Sequence, residues 1–169
     1  MPSRAYDFRP MSAADLPLLR RWLASAHVSA WWGTPAEQLA LISADLAEPS
    51  LEQYIVAVAG RPFGYLQCYD VAAWPGGGLG CQPPGARGID QFIGEADMLD
   101  RGHGSAFIRA FVERLLAAGC PRVLTDPDPA NARAIRAYRK AGFSGDREVT
   151  TPVGRALLLI RDNDRTLPA

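Results

Sequence analysis

Residues 88–143 constrain this chain more than any other stretch. A strand-like segment, a glycine-rich turn and an amphipathic helix follow one another there without a gap. Residues 88–94 read as a strand. The turn is Arg101-Gly102-His103-Gly104-Ser105, and behind it Phe107, Ile108, Phe111, Val112, Leu115 and Leu116 recur with helical spacing. The first backbone N–H groups of a helix have no partner inside it, and together with the helix dipole they suit an anion such as a pyrophosphate. Two glycines allow the backbone to come close to it. No Gly-Lys-Ser/Thr follows, so the turn is not a Walker A loop. The third glycine of a dinucleotide fingerprint is absent too.

The second half of the stretch is more specific. Residues 122–126 form a short strand, and Asp126-Pro127-Asp128-Pro129 a rigid turn. Asn131 is placed to cap a helix carrying Ala134, Ile135 and Tyr138, which Gly142 ends. The pattern Asn131-x-x-Ala134-x-x-x-Tyr138-x-Lys140-x-Gly142-Phe143 resembles that of the GCN5-related N-acetyltransferases (GNAT), which move an acetyl group from acetyl-CoA to an amine. The resemblance implies that Arg101, Gly102, His103, Gly104 and Ser105 hold the CoA pyrophosphate, His103 by its backbone. It puts Asn131, Ala134 and Tyr138 beside the pantetheine and thioester, with Phe92 and Ile93 on the facing strand. For Asn131, contact with CoA and capping of its own helix both remain open.

Composition limits the alternatives. A chain of 169 residues is expected to be one domain over 1–169, with 48% hydrophobic and 21% charged residues, as in an ordinary globular protein. A formal net charge of +0 speaks against a nucleic-acid surface. Cys68, Cys81 and Cys120 are scattered, and the histidines are only His27 and His103, so no metal site is expected. No apolar run reaches membrane-spanning length and the opening MPSRAYDF lacks a leader's apolar core; a cytoplasmic protein away from membranes, monomer or homodimer, is expected.

Along the chain, 5–9 alternates as a strand, and Ser12 caps a helix with Leu16, Leu19 and Leu23 inside. In residues 27–33 the pair Trp31-Trp32 cannot share one environment. Either one is core and the other rims a cleft, or both lie in a folded loop. Thr34-Pro35-Ala36-Glu37 reads as a capping box for a helix with Leu39, Ile42 and Leu46 on one side. Residues 54–59 and 63–69 form a hairpin around Gly60-Arg61. Residues 71–87, rich in glycine and proline and bearing Trp74, read as a long loop, either a substrate loop or an idle one. Strands at 148–151 and 156–160 follow, then a polar tail over 162–169. The order β-α-α-β-β, β-α, β-α, β-β is that of the GNAT fold: an α/β (α+β) architecture with a mixed, partly split central sheet flanked by helices, and CoA in the split.

Within that family the chain is most similar to aminoglycoside 6'-N-acetyltransferases. The residues that carry this are Trp31-Trp32-Gly33, Gly64-Tyr65 with Gln67, Arg87-Gly88-Ile89-Asp90-Gln91-Phe92, Thr125-Asp126-Pro127, Arg133-Ala134-Ile135-Arg136 and Thr150-Thr151-Pro152. Leu99, where the wider family usually has Gln or Arg, also fits this subgroup. One departure is Gly76-Gly77-Gly78 with its prolines, where the subgroup has an acidic, tryptophan-rich loop. The implied acceptor is a polycationic aminoglycoside, held by carboxylates. Asp90 is the candidate to orient the amine and take its proton, with Asp126 beside it and Trp31, Trp32, Tyr65 and Trp74 around the sugar rings. An ordinary Asp near ~3.9 is a weak base for an ammonium, so either burial raises it or Asp90 mainly positions the amine. Tyr138 is the candidate to protonate the departing thiolate. Two rivals are another small amine, such as a siderophore-precursor hydroxylamine or lysine, and a CoA-binding module without turnover.

Overall fold

The computed structural model describes residues 5–165. Residues 1–4 and the end of the expected polar tail, 166–169, lie outside the described residues. The strands are β1 (Tyr6–Pro10), β2 (Leu51–Val58), β3 (Arg61–Asp70), β4 (Arg87–Ile93), β5 (Arg122–Thr125), β6 (Ser144–Thr151) and β7 (Gly154–Asp162). The helices are α1 (Leu16–Leu23), α2 (Ala26–Trp32), α3 (Pro35–Ala44), α4 (His103–Ala117) and α5 (Ala132–Lys140). Three helices, rather than the expected two, separate β1 from β2, because the Trp31-Trp32 segment is itself helical.

The strands form one mixed sheet in the order β1-β2-β3-β4-β5-β7-β6. β1 runs antiparallel to β2, β5 antiparallel to β7, and β6 antiparallel to β7, whereas β4 and β5 are parallel. The β4–β5 ladder is short, pairing only Arg87 with Val123 and Gly88 with Leu124. The chain divides into two compact units, Met1–Gln67 with Gln91–His103, and Cys68–Asp90 with Gly104–Ala169.

The first unit is built on the amphipathic spacing of α1. Leu19, Trp22 and Leu23 are all buried, at i, i+3 and i+4, and join Val28, Ile42, Ile55, Tyr65 and Phe92 in one core. Each such burial is worth about 1.5–3 kcal/mol. Asp15 closes a capping box with Ser12 ahead of α1, accepting from the Ser12 N–H at 2.9 Å. At α3 the expected box is only partly realised. Pro35 holds the first helical position, but Thr34 makes no side-chain cap bond. Leu39, Ile42 and Leu46 do turn to the core as expected. The β2–β3 turn is Ala59-Gly60, both with positive φ, one residue earlier than expected.

In the second unit, Phe107, Ile108, Phe111 and Val112 bury the inner face of α4. The loop over 71–87 has no regular element beyond a short 3-10 turn, Val71–Ala73, yet it is packed. Val71, Leu79 and Ala86 share a core cluster with Leu124 and Leu158. The start of the expected tail is also fixed. Asp162 pairs with Arg122 at 2.5 and 3.1 Å, and Asn163 Nδ2 donates to the carbonyls of Leu116 and Cys120 behind α4.

Candidate active site

The second unit gathers the chemistry. In a parallel ladder, paired residues point to the same face, and alternate residues along a strand share a face. Gly88 pairs with Leu124, so Asp90, two residues beyond Gly88, lies on the face shared by Gly88 and Leu124. Beyond Thr125 the backbone stays laddered for one more step, since the Leu157 N–H donates to the Pro127 carbonyl at 2.8 Å. Asp126, two residues beyond Leu124, thereby comes level with Asp90. Burial, and then the charge of Asp90, push the Asp126 carboxyl up to about 7. Two carboxylates close together and partly shielded from water resist carrying two charges.

Tyr69 completes the cluster, and sequence reasoning missed it. A Cβ on Gly88 would fall 2.1 Å from Tyr69 Cζ and 2.5 Å from its hydroxyl, so the phenol lies directly over the Gly88 backbone. Burial raises its pKa strongly, followed by the fields of Asp90, Asp126, Tyr138 and Cys68. The phenol is therefore a neutral donor at working pH. The one signal available was a glycine inside a strand, which marks a place where another group approaches closely.

Tyr138, also felt by Tyr69, is buried in the last turn of α5, with its ring edge-on to Phe143 at 5.5 Å. The helix starts as expected: Asn131 Oδ1 accepts from the Ala134 N–H at 3.2 Å. At its end the Phe143 N–H donates back to the Tyr138 carbonyl, with Gly142 at a φ of +97°. The cap occupies both Asn131 Oδ1 and the Ala134 N–H.

The glycine-rich turn opens α4, a helix of 15 residues with no acidic side chain in its first turn. Gly102 has a φ of +78°, and a Cβ there would meet nothing within 4 Å. Arg101 and Gly102 are exposed, Gly104 and Ser105 half-buried. The His103 imidazole is turned into the first unit's core, with Nδ1 2.9 Å from the Tyr6 hydroxyl and its ring 5.2 Å from Phe63.

The first unit carries the aromatic candidates. Adjacent helical residues differ by about 100° in direction, and α2 uses this to separate its tryptophans. Trp31 is 46% exposed, while Trp32 packs edge-on against Tyr65 and Phe92 at 5.8 and 5.0 Å. Tyr65 is fully buried, stacked on Phe92 at 5.3 Å, with its hydroxyl 2.9 Å from Gln67 Oε1 and 3.0 Å from Gln53 Oε1. It is a core residue. Phe92 is likewise buried. His27 Nε2 donates to the Ile93 carbonyl at 2.9 Å and fixes the end of β4. In the second unit, Trp74 is 41% exposed in the packed 71–87 segment. Among the described residues, no group of three His, Cys, Asp or Glu side chains is placed to hold a metal ion, and no helix is long and apolar enough to cross a membrane.

Known proteins share this fold. Residues 12–151 match the family model described as acetyltransferase (GNAT) domain. An aminoglycoside N(6')-acetyltransferase type 1 from Klebsiella pneumoniae is 39% identical over 163 residues, covering 90% of this chain and 81% of the relative. The aminoglycoside acetyltransferase AAC(6')-Ib, solved with coenzyme A, superposes with a TM-score of 0.85 at 37% identity, covering 96% of this chain and 99% of that one. The same enzyme with coenzyme A and kanamycin gives a TM-score of 0.85 at 36% identity, covering 96% and 99%.

Proposed function

The chain belongs to the GNAT acetyltransferase family, and within it we propose that it transfers the acetyl group of acetyl-CoA to the 6'-amine of aminoglycosides by direct attack. The observation that carries this is the half-buried Asp90–Asp126 pair, set in the same chain as the glycine-rich turn of α4. A carboxylate pair that resists double ionisation is well served by a cationic amine.

The residues fit the cofactor. The α4 N-terminus offers backbone N–H groups, a left-handed Gly102 and no acidic side chain to repel a pyrophosphate. Arg101, Gly102, His103, Gly104 and Ser105 hold that group, His103 through its backbone alone. Phe92 and Ile93 supply backbone contacts along β4, kept in place by the His27 bond. Acetyl-CoA brings an acetyl thioester, already activated toward amines.

The chain's own groups do the rest. Asp90 and Asp126 draw in the ammonium and take its proton, leaving a nucleophilic amine. With Asp126 pushed up to about 7, a proton passes from the amine to the pair far more readily than to an ordinary carboxylate. A backbone N–H of β4 faces the developing oxyanion. Tyr138 gives its hydroxyl proton to the sulfur as it leaves. Trp31, Trp32 and Trp74 flank the sugar rings. The pair is acidic within a chain of +0 net charge, so the field that gathers the polycation is local. The same reading has the enzyme working in the cytoplasm, where acetyl-CoA is at hand, as a monomer or homodimer.

The test is regiochemical. Kanamycin with its 6'-amine is expected to be acetylated, and the analogue with a 6'-hydroxyl is expected to be inert. Equal turnover of both leaves a general amine acetyltransferase. Inactivity on every aminoglycoside, with acetyl-CoA still bound, moves the acceptor to a smaller amine such as a hydroxylamine.

A further inference from the structure

We infer that Tyr6 is a positioning residue of the cofactor site: its hydrogen bond to His103 moors the glycine-rich turn in the shape that receives the CoA pyrophosphate. The inference rests on the reading of that turn as the pyrophosphate holder.

The turn is an exposed span hung between two buried ends. Met98 and His103 are 6% and 7% exposed, while Asp100, Arg101 and Gly102 between them face solvent. Two of those three have left-handed backbone, Asp100 at a φ of +56° and Gly102 at +78°. Glycine adopts that conformation freely, whereas an aspartate holds it against some steric strain. Such a span keeps its shape while its ends stay fixed.

At one end the short 3-10 turn Ala96–Met98 is closed by the Met98 and Leu99 N–H groups, which donate to the Glu95 and Ala96 carbonyls at 3.0 and 3.2 Å. At the other end the His103 side chain is the peg. Its Nδ1 lies 2.9 Å from the Tyr6 hydroxyl. Its ring stands edge-on to Tyr6 at 5.9 Å and tilted against Phe63 at 5.2 Å. The sheet fixes both partners. Tyr6 pairs with Val58 in the β1–β2 ladder, and the Phe63 carbonyl accepts from the Gly94 N–H at 2.7 Å. A hydroxyl both donates and accepts, so either neutral tautomer of the imidazole makes the bond. The peptide between Gly102 and His103 cannot swing without drawing the imidazole off Tyr6. The bond therefore sets the direction of the His103 N–H, one of the groups assigned to the pyrophosphate.

Without the Tyr6 hydroxyl the turn spends part of its time in other shapes, and cofactor affinity falls in proportion. That is a local loosening rather than unfolding. It acts on the part of the cofactor that the turn meets and on no other.

The experiment measures equilibrium binding of CoA, and of pantetheine, which lacks the pyrophosphate, to the parent enzyme and to Tyr6→Phe. Steady-state kinetics supply kcat and the acetyl-CoA KM alongside. Phe keeps the ring against His103 and Phe63 and removes only the hydroxyl. The CoA Kd and the acetyl-CoA KM are expected to rise about fivefold, the equilibrium worth of one net hydrogen bond, while the pantetheine Kd and kcat stay level. His103→Phe, which leaves a ring in the core, is expected to give the same rise. The double variant is expected to lose no more than either single one, because both remove the same bond. A level CoA Kd in Tyr6→Phe, an equal rise for CoA and pantetheine, or losses that add in the double variant overturn the inference. A parent enzyme that binds pantetheine as tightly as CoA overturns instead the reading on which it rests.

Discussion

Glu95 in the first unit and Asp126 in the second are both shielded carboxylates just beyond a strand of the same sheet, and their surroundings treat them oppositely. Glu95 accepts from Arg21 and from the Trp22 indole at 2.7 and 2.8 Å, and these bonds hold it below the usual carboxylate range. Asp126 has burial and the charge of Asp90 against it and is pushed up to about 7. The first arrangement is complete in itself and stabilises the fold. The second sets burial and a like charge against ionisation, the kind of perturbed carboxyl that the proposed amine site calls for.

The two also predict opposite dependence on pH. A depressed carboxyl such as Glu95 contributes stability above its unfolded pKa, lost as pH falls through its folded value. A raised carboxyl such as Asp126 favours the folded state below its unfolded value of 3.8, and that contribution is lost as pH rises toward about 7.

The largest expected effect lies at neither carboxylate but at Tyr138, the proposed proton donor. Tyr138→Phe keeps the buried ring and its contact with Phe143, so the melting temperature should hardly move. Loss of a general acid lowers kcat by about 10²–10⁴ with little change in the acceptor KM. A single-turnover rate equal to the parent's removes Tyr138 from the mechanism.

Next comes the exchange of charge for amide at each carboxylate. Asp126→Asn should cost about tenfold or more in kcat/KM for kanamycin, through loss of one close charge contact, yet raise the melting temperature at pH 8 while leaving it nearly unchanged at pH 4. Glu95→Gln should do the reverse: kinetics and their pH profile stay level, and stability at pH 7 falls by about 1 kcal/mol, as befits an ion pair with one exposed partner. Parallel behaviour of the two variants breaks the distinction between them.

Much of this was legible in the sequence. Periodicity placed α1, α3 and α4 with their buried faces, and Asn131 and Gly142 set the ends of α5 because cap chemistry is local. The family resemblance placed Asp90 and Asp126 by one amine, and the Gly88–Leu124 register gives the physical reason, a long-range fact that no local pattern contains. For the same reason Tyr69 stayed hidden: it reads as one more aromatic in a strand until a neighbouring strand puts Gly88 beneath it. The α2 helix escaped because two adjacent tryptophans look like a conflict, which a helix with one solvent face resolves here. Tyr65 reads as a ligand contact in the motif, but three-dimensional packing gave it to the core.

The central claim is that the Asp90–Asp126 pair stands half-protonated at neutral pH until an amine arrives. The direct measurement is a ¹³C NMR titration of the aspartate carboxyls in the cofactor-free enzyme, with Asp126→Asn to assign the signals. One carboxyl of the pair should titrate near pH 7, and added kanamycin should drive that step downward as the cation replaces the proton. Both carboxyls titrating below about pH 5 without ligand, at ordinary aspartate values, would contradict the account.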